Sequence, residues 1–222
     1  KSGKVKGGDT LLLKDGEYGE VTIKTNAAFD VPVTIMSQNG KSAHFDRIQL
    51  SLDTRNLILR NFSVWPSDPS HGAAYLVRAL ETTSDITIDG FDVRSEEGAG
   101  SYMNWDAAKW EARKFSGIML QGTRSSVTGS RLTGIYHGIS VGENSQIVGN
   151  IVDGFNGDGM RAFSHSIVRG NKVMNCVKTD DNHDDGFQSF SIKGVPVTGL
   201  VLDSNIIIEW TGKDDNPVRG TL

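Results

Sequence analysis

Four short phrases decide the fold: Gly117-Ile-Met-Leu120, Gly138-Ile-Ser-Val141, Gly159-Met-Arg-Ala162 and Gly186-Phe-Gln-Ser189. Their glycines are separated by 21, 21 and 27 residues. A period just above twenty, with one strand-like phrase per period, is typical of a solenoid built from stacked coils. The six extra residues of the third interval fall around Lys178–Asp185, the densest run of ionisable side chains in the chain.

A second column of small and polar residues follows the strand-like runs: Asn61, Gly90, Ser130, Asn150, Asn171 and Asn205. Alternation of apolar and polar residues on both sides of this column indicates strands with one buried face. A Gly or Asn between two strands in each coil indicates a corner with left-handed backbone or with side-chain bonds to the next coil. Three short strands per coil predict an all-β fold, a single-domain right-handed parallel β-helix.

We expect one domain over residues 1–222, divided into three parts. Residues 1–80 form N-terminal irregular coils, residues 95–115 form an insertion with a short helix, and residues 116–222 form regular coils. Asp106 is the candidate N-cap of the helix, because an acidic residue precedes a helix-forming run. The C-terminal residues show no capping signal, which is consistent with a piece of a longer solenoid.

Composition excludes several classes of protein. The net charge is -4, which gives no indication of nucleic-acid binding. A single cysteine, Cys176, excludes an internal disulfide framework and is expected to be a buried thiol. No apolar run approaches the length of a membrane span, so we expect no membrane insertion.

The repeat also predicts which side chains are neighbours. The residues before the four glycines are Ser116, His137, Asp158 and Asp185, and stacked coils are about 4.8 Å apart, so these side chains should form one line. The residues two positions after the glycines should point outward beside that line. They are Met119, Ser140, Arg161 and Gln188.

This outward strip gathers acids, bases and a cation, which is the arrangement expected where a β-helix acts on an extended polymer. Some members also have a simpler interpretation. Aspartate is common at solenoid corners, where its side chain bonds nearby backbone, so Asp158 could be structural. Arg161 could serve merely as an ion-pair partner of Asp158 and Asp185. Trp105 and Trp110 of the insertion could stack on sugar rings or only attach the insertion to the solenoid.

Two segments resemble known carbohydrate-active β-helix enzymes. Gly8-Asp-Thr-Leu-Leu-Leu-Lys-Asp-Gly-Glu-Tyr-Gly19 resembles the first coil of chondroitinase-B-like and alginate-lyase β-helices. Asp181-Asn-His-Asp184 is similar to the Asp-Pro-His-Asp signature of mannuronan C5-epimerases, with Asn182 in place of the proline. The second resemblance implies that His183 and Asp181 act at C5 of a uronate.

A third resemblance implies calcium. Asn182-His-Asp-Asp-Gly-Phe187 is similar to the Asn-x-Asp-Asp-Gly calcium loop of some pectate lyases. It implies that Asp184 and Asp185 are metal ligands, and Asp180 is a further carboxylate of the kind that Ca²⁺ prefers. The two motif resemblances give Asp184 different roles.

The residues and the resemblances together predict C5 proton abstraction on an acidic, uronate-containing polysaccharide, by a lyase or a C5-epimerase. His183 fits a base or acid because the ordinary pKa of histidine is near 6.5. Arg161 fits the group that neutralises the carboxylate, and Tyr136 or Lys178 fits the opposing acid or base. His137 and Gln188 are expected to bind substrate.

Two other functions remain open on sequence grounds. A glycoside hydrolase could use Asp158 with Asp185, since neighbours about 4.8 Å apart are near the short separation of a retaining pair. A phage tailspike or an adhesin could only grip the polysaccharide, and a tailspike-like chain would form a trimer. In each case we expect a secreted or periplasmic protein, or one at the surface of a cell or virion.

Overall fold

The structure is a computed structural model that describes residues 5–24, 29–70 and 75–221. In these residues the strands form three parallel sheets, and each circuit of the chain adds one strand to each sheet. The coils therefore stack as a right-handed parallel β-helix, which confirms the predicted fold class.

Each sheet runs along the stack of coils. Sheet 1 contains β1 (Thr10–Leu13), β4 (Val33–Ser37), β7 (Arg55–Arg60), β10 (Ser84–Asp89), β13 (Ser126–Thr128), β16 (Gln146–Val148), β19 (Ile167–Arg169) and β22 (Val201–Asp203). Sheet 2 contains β2 (Gly16–Glu17), β5 (Ala43–Phe45), β8 (Ser63–Val64), β11 (Asp92–Arg94), β14 (Arg131–Ile135), β17 (Ile151–Phe155), β20 (Lys172–Cys176) and β23 (Ile206–Ile208). Sheet 3 contains β3 (Glu20–Lys24), β6 (Arg47–Ser51), β9 (Tyr75–Ala79), β12 (Ser116–Leu120), β15 (Ile139–Val141), β18 (Met160–Arg161) and β21 (Phe187–Gln188).

The core consists of apolar ladders, in which side chains at equivalent positions of successive coils stack on one another. In sheet 3 the ladder is Ile48, Val77, Ile118, Ile139, Met160 and Phe187. All but the last of these side chains are buried, as is the free thiol of Cys176. Alternate residues of the same strands therefore point outward, because successive side chains of a strand face opposite sides.

The glycines of the four phrases are required by space. A Cβ added to Gly117 would lie 2.4 Å from Leu132 Cδ2, and one added to Gly159 would lie 2.5 Å from Val173 Cγ1. These partners belong to the apolar ladder of sheet 2, which approaches the backbone of sheet 3 closely at each coil. A side chain at the glycine would push the two sheets apart. The close packing of the sheets therefore requires a glycine at this position of each phrase.

The corner column divides into two adjacent columns. Left-handed backbone occurs at Asn61, Gly90, Gly129, Gly149, Gly170 and Ser204, with φ between 54° and 68°. The residues one position later form hydrogen bonds between successive coils. Ser130 N–H donates to Asn150 Oδ1, and Asn150 N–H donates to Asn171 Oδ1, both at 2.9 Å. Both predicted corner types are present, but the sequence column merged two positions that differ by one residue.

Regularity differs from the prediction at both ends of the chain. Strands β1 to β9 join the same three sheets in the same order as later strands, so the described part of the N-terminal region is more regular than predicted. The C-terminal coil is less regular, because β21 has two residues and long segments follow it. The C-terminal segment returns to the previous coil, where Lys178 N–H donates to Val218 O and Gly220 N–H donates to Cys176 O.

The insertion contains a 3₁₀ helix (Ala99–Asn104) and one α-helix, α1 (Ala107–Ala112). Asp106 caps α1 as predicted, since its side chain accepts a hydrogen bond from Lys109 N–H at 2.8 Å. No helix within the described residues is long and apolar enough to cross a membrane.

The burial of two insertion aromatics favours attachment of the insertion to the solenoid over sugar stacking. Trp105 is 5% exposed and Trp110 is fully buried, and their rings pack edge to face at 5.1 Å. Tyr102 joins them and occupies the space above Gly154, where a Cβ would lie 2.7 Å from the tyrosine ring. The aromatic rings thus attach the insertion to the outer side of sheet 2 and present no face to a sugar.

Replacing Trp110 with alanine is expected to lower the free energy of unfolding by about 3–5 kcal/mol, because it leaves a large cavity under the insertion. Urea unfolding measures the loss, and Trp110→Phe should lose clearly less. Unchanged stability with weaker binding of a polysaccharide would contradict the packing role and restore the sugar-binding one.

Candidate functional site

The outward strip of sheet 3 has the predicted register. Met119 pairs with Ser140, Ser140 with Arg161, and Arg161 with Gln188 across successive strands. The neighbouring line is also confirmed, because each glycine N–H donates to the carbonyl of the residue that precedes the next glycine. These donors and acceptors are Gly117 to His137, Gly138 to Asp158 and Gly159 to Asp185.

Arg161 is bound by two side chains and lies near a third. Its Nη2 donates to Asp158 Oδ2 and, at 2.9 Å, to Gln188 Oε1, while its guanidinium lies 5.2 Å from the centre of the Phe190 ring. Asp158 is 5% exposed and the Arg161 side chain is 25% exposed, so this ion pair is largely buried. Nε of Arg161 is buried without a partner, and Nη1 has no acceptor among the described residues. Because Nε is inaccessible, Nη1 is the donor group that the guanidinium keeps for a further anion.

His137 lies beside Arg161. The two side chains line one small depression together with Tyr75, Met119, Ser140 and Asp158. Burial lowers the pKa of His137, and Arg161 lowers it further while Asp158 opposes the change. The imidazole is therefore neutral at pH 7 and can accept a proton. Ser116 Oγ lies 3.4 Å from its Nδ1.

The ring of Tyr136 contacts that of His137 in a tilted arrangement, with ring centres 4.0 Å apart. Burial raises the pKa of Tyr136, which keeps its hydroxyl protonated at neutral pH. Lys114, from the end of the insertion, places its ammonium 5.2 Å from the centre of the tyrosine ring and bonds Asp180 at 2.8 Å. The insertion thus supplies a cation to the edge of the strip.

The acidic segment that follows β20 lies over this edge and is mostly exposed. The His183 side chain is 82% exposed, and its Nδ1 lies 3.3 Å from Asp185 Oδ2. Lys178 Nζ donates to Asn182 O, and Asp181 is exposed. Asp185 reaches the strip, because Gln188 Nε2 donates to its Oδ2 at 3.0 Å. The segment therefore joins Arg161 through Asp185 and Gln188.

The three predicted calcium ligands are not arranged as a calcium site. In the described part of the chain, no three or more His, Cys, Asp or Glu side chains are placed to hold a metal ion. Asp180 bonds Lys114, Asp185 bonds Gln188, and Asp184 is 4% exposed. Calcium stays a prediction of the resemblance, to be checked by assays with and without a chelator.

Asp184 is an acid kept in an unfavourable environment. Burial raises its pKa to about 6, Asp180 adds to the rise, and Lys178 and Asn182 partly oppose it. Its Oδ2 is buried without a partner. The ionised form is therefore poorly stabilised in the folded protein.

Replacing Asp184 with asparagine is expected to stabilise the protein on the order of 2 kcal/mol at pH 8. The folded pKa lies above the unfolded value of 3.8, so the penalty is absent below pH 3.8, grows as the pH rises, and is complete above about pH 6. Thermal unfolding at pH 8 and at pH 3.5 measures the difference. Asp181→Asn, the same charge change on an exposed neighbour, should have little effect; equal gains in both variants would contradict the assignment.

A groove adjoins the His137–Arg161 depression and shares Met119 and Ser140 with it. This sheet 3 groove has a volume of about 330 Å³, and its walls include Glu81, Gln121, Glu143, Phe163 and Ile192. The sequence interpretation missed Phe163 and Phe190, whose rings meet edge to face at 5.3 Å. The repeat contained the signal, since both residues stand four positions after a glycine of the phrases.

Comparison with known proteins supports the fold. No family model matches the chain, and no curated protein matches it. A solved structure of a mannuronic acid-specific polysaccharide family 6 lyase from human gut microbiota is similar over 95% of this chain, with 15% identity and a TM-score of 0.61. The chain covers 51% of that protein, about half of its length. At this identity the likeness establishes a shared β-helix fold.

Proposed function

We propose that the protein is a polysaccharide lyase that binds an acidic, uronate-containing polysaccharide along the outer face of sheet 3. The supporting observation is that Arg161, whose Nη1 has no acceptor among the described residues, lines one depression with His137, whose pKa is lowered. The mannuronic acid-specific lyase of similar fold makes polymannuronate the first substrate to test.

The chemistry follows from the position of the two groups. Arg161 binds the uronate carboxylate, and this neutralisation makes the proton at C5 more acidic. His137 removes that proton, the electron pair forms a C4=C5 double bond, and the bond from C4 to the bridging oxygen breaks. Tyr136 supplies a proton to the departing oxygen, since its hydroxyl is protonated. The elimination consumes no water, and one of its two products has an unsaturated end.

The remaining predicted residues receive supporting roles in the proposal. Asp158 and Gln188 orient Arg161. His183 and Asp185 form the rim of the site, where the exposed imidazole contacts substrate, and Lys178 and Asp181 lie farther along the same segment. The sequence interpretation placed the base at His183, whereas the proposal places it at His137 because that imidazole shares a depression with Arg161.

The arrangement disfavours the hydrolase. A retaining hydrolase needs two carboxylates open to the sugar. Asp158 is 5% exposed, pairs with Arg161, and accepts a hydrogen bond from Asp185 N–H at 3.3 Å. The Asp185 carboxylate accepts a hydrogen bond from Gln188 Nε2 at 3.0 Å, so the protein engages both carboxylates of the candidate pair.

Incubation with polymannuronate, polyguluronate and polygalacturonate tests the proposal. A lyase generates ultraviolet absorbance from the unsaturated product. New reducing ends without absorbance would indicate a hydrolase, and an intact chain with changed configuration would indicate an epimerase. Binding without any reaction would indicate a non-catalytic binding protein; each of these three outcomes overturns the lyase. A polymeric substrate also favours a protein that is secreted, periplasmic or at a cell or virion surface.

A further inference from the structure

The outward column of sheet 3 continues beyond the candidate site toward the N-terminus. Met119 pairs with Arg78, Arg78 with Gln49, and Gln49 with Thr22. Arg78 is therefore three coils from Arg161 on the same face, about 14 Å away at the spacing of parallel strands. Arg47 lies one coil farther, two residues before Gln49, and donates to Gln49 Oε1 at 3.2 Å.

These two arginines differ from most others in the chain. Eight of the eleven arginines form ion pairs with Asp or Glu. Within the described residues Arg47, Arg55 and Arg78 have no such pair, and two of these three lie on the outer face of sheet 3. Nε of Arg47 is buried without any partner. A partly buried cation without an ion-pair partner loses hydration that nothing in the protein replaces. A carboxylate of a bound ligand would stabilise it.

Arg78 is also continuous with the candidate site. Its Nε donates to Gln121 Oε1 at 2.8 Å, and its guanidinium lies 5.3 Å from the centre of the Tyr75 ring. Tyr75 lines the His137–Arg161 depression and Gln121 lines the sheet 3 groove. The two contacts fix the guanidinium next to both walls and leave its terminal nitrogens without an acceptor in the described residues.

We propose that Arg78 and Arg47 bind carboxylates of uronate units beyond the one held by Arg161, so that the polymer runs across the coils. This inference rests on the proposed function and adds a second region of the protein that binds carboxylates. The spacing of coils is close to the rise of one unit in an extended 1,4-linked uronate chain, so each coil faces about one sugar. Long chains reach Arg78 and Arg47, whereas a trisaccharide with one end at Arg161 extends to Met119 and stops one coil short of Arg78.

Replacing Arg78 with glutamine is expected to raise the Kd for long polymannuronate about 10-fold and to leave mannuronate trisaccharide binding unchanged. Arg47→Gln should act in the same direction, and the double variant should weaken binding further. Arg55→Gln is the matched control, because it removes an unpaired arginine from sheet 1. Calorimetric titration measures the affinities, and the salt dependence should flatten in the sheet 3 variants.

Equal effects of Arg78→Gln and Arg55→Gln on the long polymer would overturn the second subsite even if turnover persists. Equal weakening of trisaccharide and polymer would also overturn it, since the effect would then belong to the Arg161 site. Tighter binding of single-stranded DNA than of polymannuronate would overturn the assigned polymer. Binding that depends on Arg78 without any turnover would instead preserve the subsite and contradict the lyase.

Discussion

Replacing His137 with alanine is expected to lower kcat on polymannuronate by about 10²–10⁴, the usual contribution of a positioned general base. The imidazole shares its depression with Arg161, and burial keeps it neutral at pH 7. Absorbance of the unsaturated product measures the rate. Thermal unfolding should remain near that of the natural chain, because the side chain is only partly buried.

The pH profile separates catalysis from structure. Because burial lowers the pKa of His137, activity should rise with pH through a value below 6.5 and be complete at neutral pH. The alanine variant should lose this acidic limb, and added imidazole should restore part of the rate. His183→Ala is the matched control and should change KM more than kcat. A large loss of kcat in the His183 variant, with His137→Ala active, would return the base to the acidic segment.

The fold could be predicted from the sequence because one constraint repeats in every coil. Each glycine of the four phrases meets an apolar side chain of sheet 2 at the same place, as Gly117 meets Leu132 and Gly159 meets Val173. The corner positions were predicted less accurately. The left-handed residue and the residue that bonds the next coil are adjacent in sequence, and the prediction combined them into one column. The N-terminal coils lack the phrase, so they were predicted to be irregular although their strands join the same three sheets.

The candidate site was only partly predictable. The register placed Arg161 and Gln188 together, because neighbours across strands follow from a fixed period. It could not show burial, and burial is what distinguishes His137, with its lowered pKa, from the exposed His183. The sequence also could not show that the insertion turns its tryptophans inward. That outcome depends on a tertiary contact with Gly154 and its neighbours.

Replacing Arg161 with glutamine is expected to lower kcat/KM by about 10³, because the substrate carboxylate loses the cation that stabilises the developing charge. Arg161→Lys keeps the charge but loses the planar fork, so it should recover only a small part of the rate. Arg161→Gln also leaves Asp158 as a buried carboxylate without its charged partner. Removing one member of a buried pair typically costs about 3–5 kcal/mol, so the single variant is expected to be destabilised as well.

A double variant separates the two effects. Asp158→Asn combined with Arg161→Gln removes both charges and keeps groups that can bond each other and Gln188. Replacing a whole buried pair is often neutral for stability, so urea unfolding should return toward that of the natural chain. Turnover should stay about 10³ lower, because the substrate carboxylate still lacks its cation. Recovery of turnover together with stability would mean that Arg161 serves only to neutralise Asp158, and the carboxylate site would have to lie elsewhere on sheet 3.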